Sequence, residues 1–247
     1  MDGLTTSVIQ RPYVFAFLTA YVFLAWRLIG WRRMLLWLAS GYLIAWLSAF
    51  SSIHNGFPYG EYHYVYENMP SELMIAGVPF FDSLSYTFLT FAGYAMATFT
   101  LGRKRAAGIW AVLLGALFTM LLDVIIDPIA TMGEMWFLGK IHYYAHPGWY
   151  FGVPLSNFGG WYLVSFAVIG FNAIAWRAFP TSFGRHVATL SRHNERLYPA
   201  FYAGIALFNI AMSLWIGQWK LGLASSAILL AILGASGAKR SFSPSNS

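Results

Sequence analysis

Cysteine is missing from the 247 residues, and charge is scarce: Asp, Glu, Lys and Arg together make only 10% of the chain. No disulfide, no thiolate metal site and no covalent thiol chemistry is open to it. A soluble domain carries charge on roughly a quarter of its residues to keep its surface wetted, so composition argues against a soluble fold. No GxGxxG turn, P-loop or GxSxG elbow stands in a suitable context, which removes the support for dinucleotide, nucleotide and serine-hydrolase chemistry. No basic stretch precedes the first apolar run and no cleavage site follows it. That run is expected to be a retained span rather than a signal peptide.

In place of charge there is hydrocarbon: 58% of the residues are hydrophobic and 19% are aromatic. A membrane-crossing helix takes roughly 20 predominantly apolar residues. Seven such stretches are predicted, at about 13–29, 34–53, 79–101, 107–127, 159–177, 199–217 and 220–236. The expected fold is an all-α, polytopic helical bundle integral to a membrane and in contact with its lipid. It reads as one domain over 1–240, followed by a disordered, Ser-rich tail at 241–247. With the N-terminus outside and the C-terminus cytoplasmic, only Arg11, Lys140 and Lys220 of the 15 Lys and Arg fall outside. This is the positive-inside pattern of a cell or inner membrane protein. The formal charge of +6 therefore reports topology and not nucleic acid binding. Of the nine Asp and Glu, only Glu195 falls inside, so the chemistry is expected at the outer end.

Gly77-Val78-Pro79 opens the third span, and Gly152-Val153-Pro154 stands before the fifth at an offset of 75 residues. At that offset Asp82 falls on Asn157, Tyr86 on Trp161, Thr90 on Ser165, Phe91 on Phe166 and Ala92 on Ala167. Each copy sets a polar side chain three residues after a proline, near a helix N-terminus that favours anions and acceptors. Two similar helix starts arise by chance, because proline is common in a first turn. A duplication would instead build a pseudo-symmetric bundle with a site between its halves. The long connections, 54–78 and 128–158, are dense in Tyr, Trp and Phe. Such rings form interfacial belts, but a belt has no need of the Glu and His that interleave them here.

Asp123 and Asp127 sit four residues apart on one helix face, just before Pro128, where the helix is expected to stop or kink. An acid at mid-membrane costs about 2.5–3.5 kcal/mol on insertion scales. Either both reach the interface, or they face an internal pocket where proximity and desolvation keep one protonated as an acid catalyst. Glu61 with His63 is the second candidate, against an exposed loop, and Asp82 the third, against a plain N-terminal cap. Glu67, Glu72 and Glu134 read as solvated loop charges. His142 and His146 form an HxxxH pair, but only His54 and His63 join them on that side, too few for the histidine boxes of a membrane di-iron site. No metal and no cofactor is therefore expected. The remaining inventory is acid chemistry on a lipophilic molecule, with aromatic faces for a positively charged intermediate. Protonating a trisubstituted isoprenoid double bond gives a tertiary carbocation, which water or a second alkene captures.

Several stretches together resemble the membrane carotenoid-biosynthesis proteins, a family that includes carotenoid 1′,2′-hydratases acting on gamma-carotene or bisanhydrobacterioruberin. They are Pro58-Tyr59-Gly60-Glu61-Tyr62, Gly77-Val78-Pro79, Asp123 with Asp127-Pro128, Trp136, and Tyr150 to Phe158 with Gly160-Trp161. The resemblance covers about 58–161, and its last stretch is the most specific. It implies cofactor-independent hydration of the terminal double bond of a linear carotenoid or polyprenyl substrate. It also implies pocket positions at Glu61, Asp123, Asp127 and Asn157. On this reading Asp123 or Asp127 donates the proton and Glu61 orients the water or takes its proton. Asp82, His63 and Asn157 position the substrate, and Tyr150, Trp161 and Trp136 wall the pocket. Three alternatives stay open: a membrane terpene cyclase using the same proton delivery, a Mg-dependent prenyltransferase suggested by the DxxxD spacing, and a transporter or carotenoid-binding protein.

Overall fold

The computed structural model describes residues 11–70, 72–102, 108–132, 135, 139–180 and 195–241, with side chains up to 237. Trp136, Glu134 and the tail beyond Ser241 lie outside the described residues, and Ser241 itself closes the last helix. Seven long helices are found among the described residues: α1 (Pro12–Ile29), α2 (Trp31–Asn55), α3 (Phe80–Leu101), α4 (Ile109–Ala130), α5 (Leu155–Ala178), α6 (Leu197–Trp215) and α7 (Trp219–Ser241). Each coincides with a predicted span to within a few residues, as expected where hydrophobic length alone sets the element. Six are long and apolar enough to cross a membrane. The seventh, α3, is more polar because it is the central helix, packed against α1, α2, α4, α6 and α7. Its Ser83, Thr87, Thr90 and Thr100 are buried against other helices, not lipid. The Thr87, Thr90 and Thr100 hydroxyls donate back to the carbonyls of Leu84, Tyr86 and Met96, so their hydrogens are not left in hydrocarbon.

The possible duplication has a structural counterpart. Helix α2 and α3 with the hairpin between them match α4 and α5 with theirs, each pair packing against the other. In the first hairpin β2 (Met74–Ile75) pairs with β3 (Val78–Pro79) across Ala76 and Gly77, whose φ angles are 49° and 80°. In the second, Tyr150 bridges Val153 across Phe151 and Gly152, at 48° and 86°. Two successive positive φ angles are the signature of the tight hairpin turn that matches strand twist, and glycine takes the second position in both. Pro79 and Pro154 then stand in extended conformation as the residues before α3 and α5. Tyr86 and Trp161, 75 residues apart, stack on each other with ring centres 4.4 Å apart. The two positions related by the 75-residue offset are thus in direct contact.

Above this four-helix centre a two-stranded ribbon closes the hairpin end. Strand β1 (Tyr62–Tyr64) pairs antiparallel with β4 (His142–Tyr144), Tyr62 opposite Tyr144 and Tyr64 opposite His142. Side chains alternate along a strand. Tyr62, Tyr64, His142 and Tyr144 therefore face into the bundle, and His63 and Tyr143 face away.

Candidate active site

Helix α4 carries Asp123 and Asp127 one turn apart on the face it buries against α5, and both are inside the protein, at 1% and 8% exposure. Pro128 neither ends nor visibly breaks this helix, which runs on to Ala130. A proline removes only one backbone hydrogen bond, and Thr131 closes the last turn with its N–H on Asp127 O and its hydroxyl on Pro128 O. The first turn of α5 supplies Asn157, whose amide donates to Asp123 Oδ2 at 2.7 Å and to Asp127 Oδ2 at 3.3 Å, clasping the two carboxyls. From the ribbon, the Tyr144 hydroxyl donates to Asp127 Oδ2 at 2.6 Å, and His142 Nε2 stands 3.4 Å from Asp127 Oδ1. Asp127 thus collects donors on both oxygens. Asp123 receives one, and its Oδ1 is buried with no hydrogen-bond partner among the described residues.

Two groups on the ribbon are tuned by this pair. Burial works against a charged His142 imidazole, yet the hydrogen bond and negative charge of Asp127, with Asp82 behind them, hold its pKa above the ordinary histidine value. Tyr144 is pushed well above the usual phenol range by burial and by the charge of Asp127, so it serves as a neutral donor.

The pair opens onto a cavity of about 210 Å³. Asp82, Asn157 and Trp161 line it with the two aspartates, together with Tyr59, Tyr86, Phe88, Leu89, Ile205 and Phe208. Its walls are mostly hydrocarbon, with the acids at the end under the ribbon. Glu61 and His63 stand elsewhere: they pair with each other at 3.3 Å on the outer surface, with side chains 55% and 42% exposed. Neither lines the cavity, because the alternation of β1 turns His63 away while it turns Tyr62 and Tyr64 inward. Tyr150 also lies outside the cavity lining, packed edge-on against Phe151 and Phe158. Asp82 makes no cap hydrogen bond but an ion pair, at 2.6 Å, with buried Arg11 at the start of α1. Glu72, expected to be solvated, is the second partner of that arginine at 3.2 Å, with both side chains 3% exposed. Among the described residues no group of three or more His, Asp or Glu stands close enough to hold a metal ion.

The motif residues meet in space. Gly160 faces the backbone of Pro58 and the ring of Tyr59 so closely that a Cβ there would come within 2.8 Å of both, which seats the 58–60 turn against α5. The pattern shared by the carotenoid biosynthesis proteins runs through residues 10–233, which takes in every helix that builds the cavity. The chain belongs to the carotenoid biosynthesis protein family. A relative within reach of direct comparison is the bisanhydrobacterioruberin hydratase of Haloarcula japonica, 34% identical over 112 residues. That match takes in 45% of this chain and 35% of the hydratase, so the chain spans only about a third of its relative's length. No solved structure matches.

Within this carotenoid biosynthesis protein, sequence reasoning missed His142, Tyr144 and Arg11 as parts of the site. His142 was in view only as half of an HxxxH pair. In the structure that pair is split, His142 turned inward beside Asp127 and His146 exposed. The available signal was the alternation in His142-Tyr143-Tyr144, which marks a short strand with two polar rings on one face.

Proposed function

We propose that this protein adds water to the terminal isoprenoid double bond of a linear carotenoid, with Asp123 as the proton donor. The observation that carries this is the asymmetry of the carboxyl pair. Two carboxylates clasped by one amide repel each other, so a proton is shared between them. Asp127, with donors from Tyr144, Asn157 and His142, is the member equipped to hold the charge. Asp123, with an oxygen left over inside an apolar cavity, keeps the proton and presents it to the substrate. An uncharged acid in a water-poor pocket is what protonation of an alkene requires.

The cavity is smaller than the roughly 300–1,000 Å³ of pockets that enclose drug-sized ligands. It suits the end of a long hydrocarbon, and the rest of the polyene lies outside it, among the helices or in lipid. The Asp123 hydrogen goes to the less substituted alkene carbon, leaving a tertiary cation near the rings of Tyr86 and Trp161. Water forms the new C–O bond, and its surplus proton returns to the carboxyl pair. No oxidant, reductant or net proton is consumed. The likeness to a hydratase favours capture by water over capture by a second alkene. The distribution of basic residues favours an outward-facing ribbon and acid pair.

The test is expression in a carotenoid-producing host, followed by mass spectrometry of the pigments after incubation of its membranes in ¹⁸O-labelled water. A tertiary alcohol carrying the heavy oxygen is expected. A product of unchanged mass would assign the same acid pair to isomerisation or ring closure, and unchanged pigments would remove the reading.

A further inference from the structure

Hydration needs a water held at a fixed place in a cavity whose walls are mostly hydrocarbon. We infer that the phenol oxygens of Tyr59 and Tyr86 hold that water, an inference that rests on the hydratase reading above. Both residues line the cavity with Asp123, and both are buried. Each has its hydroxyl hydrogen taken up elsewhere. The Ser48 hydroxyl donates its only hydrogen to the Ala45 carbonyl at 2.8 Å, so the 2.9 Å contact between Ser48 Oγ and Tyr59 Oη is donated by Tyr59. The Tyr86 hydroxyl donates to the Trp161 carbonyl at 3.1 Å, which can only accept, and stands 3.0 Å from Ser165 Oγ. The two phenols also make a hydrogen-bonding contact with each other, and with the Ser165 contact to Tyr86 this leaves one lone pair on each oxygen.

A phenol whose hydrogen is committed offers lone pairs and nothing else. Two such oxygens side by side accept the two hydrogens of one water and turn its own lone pairs toward the cavity, the orientation that attack on a cation requires. A buried water needs two to four polar partners. Around this cavity the phenols provide two of them beside the acid, where Phe17, Phe88, Leu89 and Ile205 provide none. The step balances. The Asp123 O–H bond breaks as the alkene π pair forms a C–H bond. The water lone pair then forms C–O at the tertiary carbon, and one water proton passes to a carboxylate of the pair. Tyr59 and Tyr86 are positioning residues for the water and exchange no proton with the substrate.

Tyr59→Phe and Tyr86→Phe keep the rings and delete the acceptors. In membranes incubated in D₂O, both variants are expected to go on protonating substrate, seen as deuterium on carbon. Alcohol should give way to dehydrated isomers formed when the uncaptured cation loses a different proton. The alcohol-to-isomer ratio should fall about tenfold in each variant, the size expected for one lost hydrogen bond. An unchanged ratio in both, or a parallel fall in all products, would overturn the inference, since a structural role lowers turnover without altering its partition. If Tyr86→Phe fails to accumulate because its helix contact to α5 is lost, Tyr59→Phe decides alone. Absence of any alcohol from the unaltered protein would overturn the hydratase reading and this inference with it, whereas an unchanged ratio in the variants, with alcohol still formed, overturns this inference alone.

Discussion

The two halves of the helix bundle share a backbone plan and differ in chemistry. Ser48 and Ser52 stand in α2 where Asp123 and Asp127 stand in α4, and Asp82 stands in α3 where Asn157 stands in α5. In the first half the serines serve the scaffold: Ser52 Oγ accepts the Tyr59 N–H, and Ser48 accepts its hydroxyl. Asp82 is spent on an ion pair with Arg11. In the second half the same positions converge on one another and on a cavity. The repeated plan thus carries its carboxyl pair in the second half only, while Tyr59, Asp82 and Tyr86 of the first half line the same cavity.

The largest expected effect is on the acid half. Asp123→Asn should lower formation of hydrated carotenoid at least about a hundredfold, the lower bound for loss of a general acid. Full-length folded protein should remain in the membrane, as size-exclusion chromatography in detergent would show. Undiminished product would erase the functional difference between the halves. In the scaffold half, Glu72→Gln removes one partner of buried Arg11 while Asp82 remains. It should cost about 1–3 kcal/mol of stability, read from thermal unfolding in detergent, with product per folded molecule unchanged. A selective loss of turnover would instead place that ion-pair cluster in catalysis.

The next comparison is between pH values. Because the folded protein holds the His142 pKa above its unfolded value, its contribution to stability is complete below about pH 6.5. It is lost as pH rises through the folded-state value. The melting temperature of the unaltered protein minus that of His142→Gln should therefore be greatest in acid and shrink toward alkaline pH. A gap independent of pH would mean that His142 acts by packing alone. The smallest effects separate the two turns. Gly77→Ala and Gly152→Ala each force alanine into a positive φ, at about 1 kcal/mol. The cost should be larger at Gly77, where the new methyl meets the Tyr66 hydroxyl at 3.1 Å, than at Gly152, where the nearest atom is 3.8 Å away. Equal melting temperatures would show that the turns tolerate the contact.

Much of this is legible in the sequence. The spans follow from hydrophobic length, and the paired turns from Gly-Val-Pro repeated at one offset. That Asp123 and Asp127 turn inward follows from the cost of two acids after a long apolar run. Glu61 was drawn toward the site by its motif, but a motif does not say which face of a two-stranded ribbon a side chain takes. Glu72 looked solvated because the arginine that buries it is 61 positions earlier in the chain.

By itself, then, the sequence determined what depends on neighbours along the chain: helix length, turn chemistry and the spacing that puts two carboxyls on one face. Tertiary structure decided which polar groups surround them. Tyr144 and His142 reach Asp127, Asn157 reaches Asp123, and Arg11 draws Asp82 and Glu72 to itself. Those choices rest on hydrogen bonds and ion pairs between segments far apart in sequence, and the low dielectric of the interior makes each of them too costly to leave unmade.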